Sequence, residues 1–389
     1  MPLFFNNTVL LLYFIISLGL LLLSFISIII KNKKIDFICF LLVCMMMISF
    51  YGFRTSGTVD TKTYLSVFDG LNSFANFSWG IGFYILMKTI KFIDDSDSGY
   101  ILYSSFFIVL FFGLSVFLLC KNMYYKSLCM ISLFYSWSVL DLSINTYRQG
   151  IAVPFFLLAV YYYKERKFLW FSTCTIVSLS MHWGATLVLL LFLASVFVAK
   201  RLTFLKVLSI GVLFLLTVSF FINFNFSSAA ASSSLINQFQ AIFVGVDLLS
   251  KVNSYLGGAV DGANFYEMGS LQRIYFTGEV YIALIVCVVF FSTRNKNDEI
   301  FVSQQFLTAY SFFIFVSLYG VVLISMTWFI RNFYWIAPII PILYMYILSY
   351  VEKNRNKSHV LYLLFYCIFL IAFSCETFWR APLIAASYM

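Results

Sequence analysis

The chain has 389 residues, a formal net charge of +9, 62% hydrophobic residues and only 11% charged ones. A water-soluble domain is nearer half apolar and a quarter charged, so the composition excludes one and places the chain in a lipid bilayer. The basic excess does not point to nucleic acid, because lysines and arginines punctuate the apolar runs instead of gathering on a polar domain.

A spanning helix needs about 20 mostly apolar residues. The first such run, 8–30, is too long for a cleavable signal and has no basic stretch before it, so it reads as the first span. A second follows at 36–52. The stretch 53–98 reads as an external region with a re-entrant or interfacial helix at 79–93, where Lys88 and Lys91 precede Asp94, Asp95 and Asp97. Further spans are expected at 100–119, 127–143 and 148–163, a tight pair at 168–183 and 185–199, and another at 204–222. A second external segment, 223–272, is rich in Ser, Ala, Asn and Gly. Within it Phe243, Val246, Leu249, Val252 and Leu256 recur at helical spacing, the pattern of a helix lying in the interface. The last four spans fall at 273–292, 304–325, 332–350 and 359–376. The expected fold is all-α: a polytopic membrane protein of about twelve transmembrane helices, forming one domain over 1–389.

Six basic clusters set the orientation: Lys31/Lys33/Lys34, Lys121/Lys126, Lys164/Arg166/Lys167, Lys200/Arg201/Lys206, Arg294/Lys296 and Lys353/Arg355/Lys357. With these spans all six fall on one face, which the positive-inside rule makes cytoplasmic, and both termini are external. Counting 79–93 as a crossing would move the five downstream clusters outside. The eight cysteines lie within or at the ends of apolar runs and read as small hydrophobes of a helical bundle.

Arginines on the other side need a reason. Arg54, Arg148, Arg273 and Arg331 sit at or just inside the external ends of spans, and Arg380 is external as well. A charge at bilayer depth costs about 2.5–3.5 kcal/mol even on lenient scales, so it usually has a partner or a task. Snorkelling to lipid headgroups is the plain alternative for any one of them. The guanidinium fork matches phosphate oxygens in pairs, and several such forks at one face suit a lipid-linked pyrophosphate. Nearby in the topology are Asp60, at the start of an external helix, and His182, at the external end of its span. Imidazole titrates near neutral pH and suits a proton acceptor, with a structural histidine as the plainer reading. His359, after the run Lys353–Lys357, reads as a solvated loop residue. No aspartate-rich metal site is visible, so arginines are expected in place of a divalent ion, and no cofactor is expected. Tyr64, Trp79, Tyr147, Trp183, Tyr266, Trp328 and other aromatics near external ends are either headgroup anchors or platforms for sugar rings.

These residues resemble a known family. Phe53-Arg54 through Asp60, Thr63-Tyr64 and Phe68 is similar to the external signature of the EpsG-like branch of Wzy polysaccharide polymerases. Tyr147-Arg148-Gln149-Gly150-Ile151-Ala152 resembles that family's arginine–glutamine helix start. Met181-His182-Trp183-Gly184-Ala185 resembles its histidine followed by small residues, and Arg331-Asn332-Phe333-Tyr334 its late arginine–aromatic region. Trp79-Gly80-Ile81-Gly82-Phe83 lacks the acidic residue that relatives often carry there, so no role for that acid is carried over.

The resemblance implies extension of O-antigen or capsular polysaccharide on the outer face of a bacterial cytoplasmic (inner) membrane. A chain on undecaprenyl pyrophosphate would pass to the non-reducing sugar of a lipid-linked repeat unit. The expected partners are that donor and acceptor, membrane lipid and a chain-length regulator. His182 is the first candidate for the base and Asp60 its rival; Arg148, Arg273 and Arg331 would grip pyrophosphate, with Arg54 assisting. Two other classes compete. A flippase or other transporter would place charges near the bilayer midplane, where these spans have almost none. A membrane acyltransferase would need a histidine in the first spans, and the first two have none.

Overall fold

The computed structural model describes residues 8–71, 73–74, 77–121, 123–223, 265–292, 300, 303–326, 328–354, 356–380 and 387–388. Among the described residues there are sixteen α-helices, one 3-10 turn (Phe265–Glu267) and no strands. Six of the described helices are long and apolar enough to cross a membrane, or seven if one bent pair counts as a single span. Their burial explains why they need lipid. In Thr8–Ile29 only 28% of the apolar window is buried inside the protein, leaving Leu12 56% and Leu22 60% exposed. In water that surface would have to be covered. The chain is a multi-pass membrane protein.

The contacts divide the chain into two compact units, residues 1–189 with 341–389 and residues 190–340. The first unit opens with α1 (Thr8–Ile29) and α2 (Lys33–Gly52), followed by the short helices α3 (Val59–Asp69) and α4 (Ile81–Ile93). Then come α5 (Asp97–Leu119), α6 (Lys126–Phe134), α7 (Trp137–Ile144), α8 (Tyr147–Lys164) and α9 (Phe168–Met181). Helix α10 (Ala185–Val198) leads out of this unit, and α15 (Ile339–Asn354) leads back in before α16 (Asn356–Arg380). The second unit holds α11 (Leu202–Ser219), α12 (Ser270–Ser292), α13 (Gln304–Val322) and the single turn α14 (Ile330–Phe333).

The predicted external region 53–98 contains two helices, and α4, with 13 residues, is about 20 Å long and too short to cross. It packs on α5 and α9. Two predicted spans are broken. The run 127–143 is split into α6 and α7, bent by 73° around Tyr135 and Ser136. Local caps make the break: Ser136 Oγ accepts the Val139 N–H at 3.3 Å, which starts α7 afresh. At the far end of α6 the buried carboxylate of Asp36 accepts the N–H groups of Lys126 and Ser127 and the Ser127 hydroxyl, at 3.2, 3.0 and 2.7 Å. The run 332–350 is interrupted by turns over 334–338, ending at Pro338, which has no N–H to continue a helix. The stripe at Phe243–Leu256 and the cluster Arg294/Lys296 lie outside the described residues.

His359 is not a solvated loop residue. It is 4% exposed, in the first turn of α16, and its Nε2 lies 2.8 Å from the Tyr125 hydroxyl. Tyr125 donates to Glu352 (2.8 Å), which also pairs with Lys31 (2.9 Å). The single phenol proton goes to the carboxylate, so His359 donates to the phenol oxygen. The Glu352 hydrogen bond raises the Lys31 ammonium pKa, and burial, ahead of Glu352, raises that of the Tyr125 phenol. A histidine beside a lysine run looks solvated in the sequence until a tyrosine distant in the chain covers it. This polar knot ties together the end of α1, the start of α6, α15 and α16.

Candidate active site

At the other ends of α2, α7, α8 and α9, the first unit gathers four segments that carry sequence-predicted residues: the loop after α2, the start of α3, the α7–α8 junction and the end of α9. The junction is the centre. The carbonyl oxygen of Ile144, the last residue of α7, accepts from Arg54 Nη2 (2.6 Å), the Thr61 hydroxyl (2.8 Å) and the Thr58 hydroxyl (3.1 Å). The next residue, Asn145, accepts the backbone N–H of Asp60 on Oδ1 at 3.1 Å. The following helix starts at Tyr147 and Arg148. Two helix starts, α3 with Asp60 in its first turn and α8 with Arg148 in its own, are thereby tied to one short connection.

Helix α8 comes this close because Gly150 has no side chain. A Cβ there would sit 2.1 Å from the Leu142 carbonyl oxygen, on the backbone of α7. A similar constraint explains the Gly-Ile-Gly of the 79–93 segment. Gly80 has φ +95°, and a Cβ on Gly80 or Gly82 would meet Ser180 at 2.6 or 2.2 Å. The start of α4 is thus pressed against the end of α9, two residues before His182.

Arg54 is 9% exposed and committed to the protein. Besides Ile144 it donates to the Thr55 carbonyl (3.0 Å), the Thr61 hydroxyl (3.3 Å) and the Tyr147 hydroxyl. Its guanidinium also lies over the Tyr147 ring, 5.7 Å from the centroid. From there a row of rings runs outward: Tyr147 to Tyr64 (5.7 Å), Tyr64 to Trp79 (5.0 Å), and Trp79 to the guanidinium of Arg148 (5.8 Å). Arg148, Trp79 and Asp60 are half-buried, neither sealed in the core nor fully in solvent. Arg54 therefore holds the scaffold, and Arg148 is the cation at the accessible end.

His182 ends α9 and is half-buried, its ring stacked beside Trp183 at 11°. Its Nδ1 accepts the Gly184 N–H at 3.1 Å. That bond uses the lone pair on Nδ1, so the neutral ring carries its proton on Nε2 and presents a donor there.

Arg273 and Arg331 belong to the second unit. Arg273, at the start of α12, donates to the Ser219 carbonyl (3.0 Å) and lies over Phe265 and Tyr266 at 5.5 and 5.9 Å. Phe265 meets Phe329 edge-on at 4.9 Å. Arg331, in α14, lies over Trp328 at 5.3 Å. Beside it Asn332, 6% exposed, accepts from the Tyr319 hydroxyl at 3.1 Å. Each of these arginines is seated on aromatic faces, as Arg148 is.

Among the described residues no group of three or more His, Cys, Asp or Glu is placed to hold a metal ion. The family model described as EpsG family matches residues 37–384. The chain belongs to the EpsG family. No curated protein and no solved structure matches it. The EpsG match reaches into both units and includes Arg54, Asp60, Arg148, His182, Arg273 and Arg331. It stops short of Ser387 and Tyr388, which the sequence reading passed over. The Ser387 carbonyl accepts both the N–H and the hydroxyl of Thr55 at 2.9 Å, and Tyr388 stacks on Phe50 and donates to its carbonyl. The tail thus braces the loop that carries Arg54. Asn145 and Asp141 were missed too, because 127–143 looked like one continuous span; the turn-forming Asn145-Thr146 pair before the Tyr147-Arg148 motif was the available signal.

Proposed function

We propose that this EpsG-family protein is a polysaccharide polymerase acting on lipid-linked sugars at the external face of the cytoplasmic membrane. The observation that carries the proposal is the junction that sets a carboxylate, Asp60, and a cation seated on an aromatic ring, Arg148, on two helix starts tied through Asn145. The transfer needs a base for a sugar hydroxyl and positive charge for a departing pyrophosphate. The acceptor's hydroxyl oxygen attacks the anomeric carbon of the growing chain, forming the new glycosidic C–O bond. The bond from that carbon to the pyrophosphate oxygen breaks, the hydroxyl proton passes to Asp60, and undecaprenyl pyrophosphate leaves. Arg148 and the partial positive charge of the α8 N-terminus meet the leaving group's charge. Arg273 and Arg331 offer pyrophosphate the same guanidinium chemistry from within their own unit. Arg54 acts as a positioning residue.

The sequence offers His182 first as the base. Its Nδ1 bond to Gly184 favours a different part: it hydrogen-bonds a pyrophosphate oxygen through Nε2–H, and Asp60 takes the proton. Trp79, half-buried with the Arg148 guanidinium over its ring, supplies an aromatic face for a sugar, and the buried Tyr64 meets it edge to face and holds it in place.

The test is the length ladder of surface polysaccharide made by variants present at parental membrane levels. Asp60→Asn is expected to abolish the ladder. His182→Ala should shorten it, while His182→Gln, whose amide places a donor near the Nε2 position, should restore part of it. A normal ladder from Asp60→Asn would remove Asp60 from the reaction. A His182→Gln variant as inactive as His182→Ala would return the base to His182.

A further inference from the structure

The carboxylate of Asp141 has no part in the transfer described above. It lies one turn before the end of α7 and is 6% exposed, in a helix whose other side chains are apolar or hydroxyl. Burying an ionisable group at such a place is costly, and within a membrane protein it marks a task by default. Its contacts show which task. Asn145 Nδ2 donates to Asp141 Oδ1 at 3.0 Å, while Asn145 Oδ1 accepts the Asp60 N–H at 3.1 Å. A carboxamide can be turned either way about its last bond, and one orientation would point its NH₂ at the N–H of Asp60, donor against donor. A carboxylate accepts only, so it draws Nδ2 to itself and leaves Oδ1 facing Asp60. The main chain of Asp141 fixes the same turn, because its carbonyl accepts the N–H groups of Asn145 (3.0 Å) and Thr146 (2.9 Å).

We propose that Asp141 and Asn145 are a positioning pair that sets the register of Asp60 against Arg148. The proposal rests on the polymerase reading of that site. Asp141 touches neither sugar nor pyrophosphate; it orients the amide that holds the start of α3.

The experiment uses the full chain, purified into lipid nanodiscs and supplied with lipid-linked repeat units, and reads kcat, KM and the melting temperature. Misplacing a reacting group by about 1 Å costs on the order of 10² in rate. Asp141→Leu frees the amide, and Asn145→Asp sets two carboxylates face to face; each should lower kcat about 100-fold and leave KM within about 3-fold. The exchanged pair Asp141→Asn with Asn145→Asp again sets a donor against an acceptor, because the new amide donates to the new carboxylate, which still accepts the Asp60 N–H. It should recover kcat to within about 10-fold of the parent. Asp141→Asn alone, which keeps a carbonyl acceptor, should fall between. A single variant with parental kcat would overturn the proposal. So would a rise in KM without loss of kcat, or an exchanged pair that melts like the parent yet stays as slow as Asn145→Asp. If Asp141→Leu does not fold, Asn145→Asp and the exchanged pair decide alone. A parent that forms no polymer under these conditions would instead remove the polymerase reading itself, and the pair with it.

Discussion

Replacing Arg54 by methionine keeps the aliphatic stem and removes the fork. Four hydrogen bonds go: those to the Thr55 and Ile144 carbonyls, the Thr61 hydroxyl and the Tyr147 hydroxyl. The Ile144 carbonyl keeps its two threonine donors, so it is not stranded. Thr55 and Tyr147 lose the guanidinium donor. Hydrogen bonds to a charged group contribute about 1.5–3 kcal/mol each, but removing the buried charge also relieves its desolvation. The net loss is about 2–4 kcal/mol. For a body of this size each kcal/mol is about 2–4 °C, so the variant should melt roughly 4–16 °C below the parent in detergent. Arg148→Met is the control: half-buried, with its guanidinium on Trp79, it should melt within about 3 °C of the parent and lose polymerisation by about 10²–10³-fold. An Arg54→Met protein that melts with the parent, or an Arg148→Met protein that melts as low as Arg54→Met, would refute the division into scaffold and working arginine.

Gly150→Ala forces a Cβ to 2.1 Å from a main-chain oxygen, so α8 must shift from α7; overpacking of this kind costs about 1–3 kcal/mol or more, and a drop in melting temperature with a shortened ladder is expected. Tyr388→Ala removes the stack on Phe50 and the hydrogen bond to its carbonyl, worth about 1–3 kcal/mol together, and should lower the melting temperature while leaving KM for the repeat unit unchanged.

The helices were legible because apolar runs of bilayer length have few other uses, and α1, α2, α5, α11, α12 and α13 each begin or end within a few residues of the predicted spans. The breaks were harder to see. Hydropathy averages over a window, and nothing in that average singles out Ser136, one of five serines in the 17-residue run 127–143, as the cap of a new helix. The four residues of the first unit's site were visible one by one, as charges on the expected external side. Their division of labour was not: whether an arginine faces a ligand or a carbonyl depends on Ile144 and Tyr147, which carry no charge to draw attention. Asp141 was hidden for the same reason as the break, inside what looked like a continuous span, and His359 was misjudged because its partner is 234 residues away in the chain.

The most direct test of the polymerase account is a gel of surface polysaccharide from a host lacking this gene, complemented with the parent or with Arg148→Lys. The account predicts a single repeat unit in the deletion, a full ladder with the parent, and a single unit again with Arg148→Lys at equal membrane levels. A ladder that persists in the deletion, or a surface glycan that disappears altogether, would contradict it.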